Sequence, residues 1–176
     1  PLSPLTEPQQ RAFSEILSED SAHRPVLLHG VTGSGKTEIY MHLIQQCIDE
    51  GRQVLYLLPE IALTVQIMQR LRRVFGSRLG IFHSRYSDAE RVEIWQKQMS
   101  SEPYDVILGA RSAVFLPFSR LGLIIIDEEH ETSFKQQDPA PRYHARSLAM
   151  MTARHFPDVR IVMGTATPSI ESYHNA

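Results

Sequence analysis

Residues Gly30-Val31-Thr32-Gly33-Ser34-Gly35-Lys36-Thr37 spell GxxxxGKT, a tract that works only when a buried strand runs into it and a helix runs out of it. The flanks comply. Pro25 to His29 reads as an apolar strand and Glu38 to Cys47 as a helix, so the chain is predicted to be α/β from this segment alone. In such a turn, Gly30 and Gly35 let successive backbone N–H groups point at phosphate oxygens, and the positive end of the following helix adds to the attraction. Lys36 is placed to meet the β and γ phosphates as a point charge, and the Thr37 hydroxyl to ligate Mg²⁺. Gly33, Ser34 and Glu38 complete the candidate nucleotide-binding set. The plainer reading is a glycine-rich turn, and the strand and helix around it argue against that.

A second tract, Asp127-Glu128-Glu129-His130, follows the apolar run Leu121-Gly122-Leu123-Ile124-Ile125-Ile126. The run reads as a central parallel strand buried on both faces. Asp127 then stands at the carboxyl end of that strand, where ligands bind in open α/β sheets. There Asp127 can hold Mg²⁺ through a water while Glu128 polarises an attacking water. Lys36, Asp127 and Glu128 are the predicted catalytic groups, with Thr37 and Asp127 as metal ligands. An acidic, solvated helix start is the alternative for the carboxylates taken alone.

Composition narrows the classes. At 176 residues and 42% hydrophobic content the chain can bury one real core. A net charge of -2 leaves any nucleic-acid binding to local patches. Cys47 is the single cysteine, so neither an internal disulfide framework nor a multi-cysteine zinc site can form within it, as suits a reducing cytoplasm. No apolar segment approaches the roughly twenty residues that span a membrane. The chain opens on Pro1 and closes at Ala176 soon after a strand and a Thr-rich turn; it is expected to be a monomeric piece of something longer, one domain over 1–176.

Further elements follow by pattern. Thr6 with Gln9 three residues on predicts a capped helix to about Leu17. Val54–Leu58, Leu79–His83, Val106–Leu108, Leu123–Ile126 and Val159–Met163 read as strands. Ile61–Val74, Asp88–Met99 with Ser87 as cap, and Tyr143 to about His155 read as helices, with a loop over Thr132–Pro141. The alternation calls for a mostly parallel sheet with helices on both faces. Loops after parallel strands share one edge, which gathers Pro59 to Thr64, His83-Ser84-Arg85, Gly109 to Ala113 and Gly164 to Ser169. Small hydroxyl residues and an Arg in such loops suit a nucleic-acid backbone, so Arg85, Arg111 and Ser112 are candidate DNA contacts; singly, each also fits an ordinary cap or turn. Phe134, Lys135, Arg142, Tyr143 and Arg146 mix rings and cations as base-stacking segments do, although a plain surface loop has the same composition. Arg70, Arg72, Arg73 and Arg78 read better as a solvated helix face than as a DNA stripe.

The tracts GVTGSGKTEIY, LLPEIALT, FHSR, GARSAVFLPF, IIIDEEH, PRYHAR and GTATPS resemble the first motor lobe of the bacterial PriA (primosomal protein N-prime) family of superfamily 2 DNA helicases, over nearly the whole chain from Leu5 to Ser169. The resemblance implies a RecA-like P-loop NTPase lobe that uses ATP and Mg²⁺. It implies a 3′ to 5′ helicase in the longer protein, with single-stranded and forked DNA as substrates and replication restart at stalled forks as the task. Primosome proteins and single-stranded DNA-binding protein are its implied partners. It also implies that Gln9 reads adenine, that His130, Thr165 and Thr167 couple hydrolysis to unwinding, and that the segment from Phe134 to Arg146 senses single-stranded DNA. An arginine finger from a second lobe is worth roughly a thousandfold or more in turnover, so the chain alone is expected to hydrolyse ATP poorly. Two other classes remain open at this stage: a small-molecule P-loop kinase, which would need an Arg-bearing lid, and a nucleotide-dependent binding module without turnover.

Overall fold

β-Branched and aliphatic runs long enough for a strand and bounded by turn residues recur six times among the described residues, and all six pair into one sheet. The computed structural model describes residues 2–18, 25–28, 33–83, 85–127, 154–156 and 158–164. In chain order these carry α1 (Glu7–Ser18), β1 (Pro25–Leu28), α2 (Gly33–Asp49), β2 (Gln53–Leu57), α3 (Val65–Phe75), β3 (Leu79–Phe82), α4 (Asp88–Gln98), β4 (Val106–Gly109), β5 (Leu121–Asp127) and β6 (Arg160–Gly164). Short 3₁₀ turns lie at Glu60–Ala62, Gly76–Arg78 and Arg111–Phe115. The strand order is β1-β6-β5-β2-β4-β3, and every neighbouring pair is parallel.

Alternate strand residues feed two cores, which is why the central strands read as continuous apolar runs. On one face Val54, Tyr56, Val106, Leu108, Leu123, Ile125 and Val162 share a cluster with Ile39, Tyr40, Leu43 and Ile44 of α2 and Leu71 and Phe75 of α3. On the other, Leu55, Leu57, Ile107, Ile124, Ile126 and Ile161 share one with Ile94 of α4 and with Ala113 and Val114. Helices therefore cover both faces, as the sequence predicts.

Several boundaries shift for local reasons. The helix after the phosphate loop starts at Gly33 rather than Glu38, because the loop's second half is itself the first helical turn. α3 starts at Val65 rather than Ile61: Glu60–Ala62 forms a 3₁₀ turn after Pro59, and the Thr64 side chain then accepts from the Ile67 N–H as the true cap. Ser87 caps α4 as predicted, within a reciprocal capping box with Glu90. Those hydrogen bonds hold the Glu90 carboxyl below its usual pKa. Arg111–Phe115, read from sequence as plain loop, is helical, with Ala113 and Val114 plugged into the core. The predicted loop over Thr132–Pro141 and the helix from Tyr143, save Arg154 and His155 in a turn, lie outside the described residues.

Two buried amides tie the far edge of the sheet. Gln53, at the start of β2, accepts from the Ser119 and Arg120 N–H groups (3.0 and 2.8 Å) and donates to the Tyr104 carbonyl (3.2 Å). Gln98 at the end of α4 donates to Pro117 and accepts from Tyr104. With that edge pinned, the strands deliver their carboxyl ends in fixed register to the opposite one.

Candidate nucleotide site

Three strand ends meet at the carboxyl edge: Leu28 of β1 and Asp127 of β5 both pair with Gly164 of β6. α2 begins beside them and carries Lys36 and Thr37 in its first turns. Lys36 is 1% exposed, Thr37 8% and Asp127 4%. A lysine and an aspartate rarely bury so fully unless they meet opposite charge, and here Lys36 Nζ lies 3.7 Å from Asp127 Oδ1. Lys36, Thr37 and Asp127, drawn from tracts far apart in sequence, are thus brought into one buried cluster.

Gly164 makes the cluster possible. A Cβ there would lie 1.9 Å from Tyr40 Oη, so the residue that closes β6 must lack a side chain for Tyr40 to stand where it does; Lys36 Nζ, at 3.5 Å, would be in ordinary contact. Tyr40 is fully buried and packs edge-on against Tyr56 at 5.4 Å between centroids. The sequence places Gly164 in the edge loop to Ser169 but gives Tyr40 no role, although a glycine at a strand end just before a Thr-rich turn is a signal of close approach.

Gln9 attaches α1 to the same place. Its Nε2 donates to the Gly35 carbonyl at 3.1 Å, and its Oε1 accepts from the Thr6 N–H at 2.7 Å. Thr6 Oγ1 in turn accepts from the Gln9 N–H, which completes the predicted reciprocal cap. Glu38 turns toward α3 and pairs with Arg70 Nη2. Gly33 and Ser34 open α2, described in their backbone. Among the described residues no cluster of three His, Cys, Asp or Glu side chains suits a metal; a hydroxyl and one carboxylate are the oxygen set that Mg²⁺ uses when phosphates complete its shell.

The other half of the edge holds the remaining candidates. Arg85, Arg111 and Ser112 are exposed, beyond the ends of β3 and β4. Arg85 is held from both sides: its N–H donates to His83 Nδ1 (3.0 Å) and its Nη2 to the Leu63 carbonyl (3.0 Å). His83 is buried and tilted against Tyr86; burial first, and then the Arg85 charge, lowers its pKa below the usual 6.5. The basic stripe on α3 divides. Arg72 and Arg73 are exposed, whereas Arg70 is committed to Glu38. Gly30, Glu128, His130, Phe134, Lys135, Arg142, Tyr143, Arg146, Thr165 and Thr167 lie outside the described residues.

Residues 6–176 match the model of the DEAD/DEAH box helicase family. The chain belongs to that family. It is 46% identical over 175 residues to the replication restart protein PriA of Bacillus subtilis (strain 168), a match covering 98% of this chain and 21% of that protein. The PriA of Haemophilus influenzae is 46% identical over 171 residues, covering 97% of this chain and 23% of its own length. This DEAD/DEAH box chain therefore spans about a fifth of the length of the curated relatives it matches. Among solved structures, RecG bound to a three-way DNA junction superposes with a TM-score of 0.69 at 22% identity, over 99% of this chain and 22% of that one. The DUF1998 helicase MrfA bound to DNA and AMPPNP gives 0.68 at 19%, over 96% and 24%. These likenesses establish the fold as a RecA-like helicase lobe. No helix among the described residues is long and apolar enough to cross a membrane.

Proposed function

We propose that this chain is the ATP-binding motor lobe of a 3′ to 5′ DNA helicase that works on single-stranded and forked DNA at stalled replication forks to restart replication. The observation that carries the reading is the buried Lys36–Asp127 pair at the carboxyl edge of the sheet, in a chain 46% identical to a replication restart protein. Lys36 and the N–H groups of the Gly30–Gly35 loop hold phosphate oxygens, Gln9 holds the adenine, and Thr37 and Asp127 would hold Mg²⁺. The ion supplies neutralising charge to the phosphates. Glu128, next in sequence to Asp127, orients and polarises the water that attacks. Burial strengthens the field that Lys36 exerts, since little water screens it.

Arg85, Arg111 and Ser112 meet the nucleic-acid backbone, Phe134, Lys135, Arg142, Tyr143 and Arg146 meet unpaired bases and phosphates, and His130, Thr165 and Thr167 couple hydrolysis to strand movement. Primosome proteins and single-stranded DNA-binding protein are the partners of the longer cytoplasmic protein, which works as a monomer. The test is Mg²⁺-ATP turnover with and without forked DNA. Lys36→Ala should lose nucleotide binding; Glu128→Gln should bind nucleotide and not turn it over. The chain alone should turn over little above the Glu128→Gln blank. Substantial turnover by the isolated chain that ignores forked DNA would instead make it a self-sufficient NTPase.

A further inference from the structure

Glu38 follows directly on Thr37 and brings a carboxylate beside a site built for an anionic ligand. Its Oε2 accepts from Arg70 Nη2 across the α2–α3 contact, and its Oε1 is buried with no hydrogen-bond partner among the described residues. Side-chain exposures of 30% for Arg70 and 19% for Glu38 place the pair where water screens it only in part. Without Arg70, a half-satisfied, partly buried carboxylate would be left uncompensated one residue from Thr37, and its charge would oppose an anionic ligand there.

The helix that carries Arg70 at its middle is tied at its N-terminal end as well. Thr64 caps it, and the preceding Leu63 carbonyl accepts from Arg85 beyond β3. α3 thus runs from the loops proposed to hold nucleic acid to the residue that neutralises Glu38. We propose that Arg70 is a positioning residue for the nucleotide: it cancels the Glu38 charge beside the phosphate loop, and so makes nucleotide affinity depend on how α3 is seated. This rests on the motor-lobe reading above for its nucleic-acid side only. A strand that shifts the Leu63–Thr64 loop shifts Arg70, and by linkage bound nucleotide alters affinity for the strand by the same factor.

The experiment uses the full-length protein and reads two constants: Kd for Mg²⁺ with a fluorescent ADP derivative, and Kd for an oligothymidylate with and without Mg²⁺-ADP. Arg70→Met should weaken ADP binding about tenfold and abolish the nucleotide's effect on oligothymidylate, within the usual range of coupling between sites. Adding Glu38→Gln should restore ADP affinity, because the unpaired charge is gone, while the effect on oligothymidylate stays lost. Arg70→Lys should keep most of both. Wild-type ADP affinity in Arg70→Met, or a folded double variant that binds ADP no better than Arg70→Met, would overturn the proposal. Should Arg70→Met fail to fold, Glu38→Gln alone decides: retained coupling there overturns it. A wild-type protein that binds ADP but no oligothymidylate would remove the motor reading and leave the ADP arm to judge Arg70.

Discussion

Replacing Gly164 with alanine tests whether β6 ends against Tyr40 as closely as the structure has it. The new Cβ would sit 1.9 Å from Tyr40 Oη, about 1.5 Å inside ordinary contact distance. Tyr40 cannot retreat freely, since it is fully buried and its ring packs edge-on against Tyr56. Forcing an extra methyl into such a core costs about 1–3 kcal/mol. In a chain of this length that lowers the melting temperature by about 2–4 °C per kcal/mol. Tyr40→Phe removes the offending oxygen and leaves Cζ at 3.2 Å as the nearest atom of that ring, a contact relieved by a few tenths of an ångström. In Gly164→Ala/Tyr40→Phe the methyl should therefore cost at least about 1 kcal/mol less than in the wild-type background, a positive interaction measurable by a double-mutant cycle in urea. Mg²⁺-ADP affinity should fall in Gly164→Ala and recover with it, because the residue pushed aside, Tyr40, stands one turn after Lys36 on α2. Wild-type melting in Gly164→Ala, or no recovery on adding Tyr40→Phe, would refute the reasoning.

His83 has a folded-state pKa below 6.5, so its contribution to stability is complete above the unfolded value and is lost as pH falls through the folded one. Protonation would also turn Nδ1 from acceptor to donor and break the bond from the Arg85 N–H; as pH falls below 6.5 the wild type should lose melting temperature more steeply than His83→Asn, and an imidazole titration by NMR at or above 6.5 would contradict this. Gln53→Leu keeps the volume of a residue 3% exposed but orphans the Ser119 and Arg120 N–H groups. It should cost about 2–4 kcal/mol in urea unfolding without altering nucleotide affinity, and a loss under about 1 kcal/mol would mean that water reaches those groups.

How much of this was legible in sequence varies with the range of the cause. Strands and caps depend on neighbours, so β5, the Thr6–Gln9 reciprocal cap and the Ser87 cap could be read directly, and the structure adds Glu90 as the other half of a capping box. The start of α3 depends on a competition between Pro59 and Thr64 that a window of apolar spacing does not see. The 3₁₀ segment Arg111–Phe115 owes its form to Ala113 and Val114 filling a gap beneath the sheet, a tertiary reason with no local period. Lys36, Thr37 and Asp127 were legible because their motifs carry the chemistry themselves. Arg70 was not: a basic residue on a helix face looks the same whether it faces solvent or a carboxylate on the next helix.

The strand order explains why the chemistry is scattered along the chain. β1, β6 and β5 lie side by side and end at the nucleotide cluster, yet β6 is the last of the described strands in sequence and is inserted between the other two. β2, β4 and β3 form the other half, and the loops after them carry Leu63, Arg111 and Arg85. The halves join along the β5–β2 pairing. From Val54–Leu123 to Leu57–Ile126 this buried parallel seam keeps one register, and it resists continuous deformation. Above the sheet the halves are also bridged by α3, which meets α2 through Arg70 and Glu38 and meets the far loop through Leu63 and Arg85. In the proposed coupling of nucleotide to a second ligand, the parallel sheet would be the rigid floor, and α3, anchored in the core by Leu71 and Phe75, would be linked to both halves by the Glu38–Arg70 and Leu63–Arg85 ties.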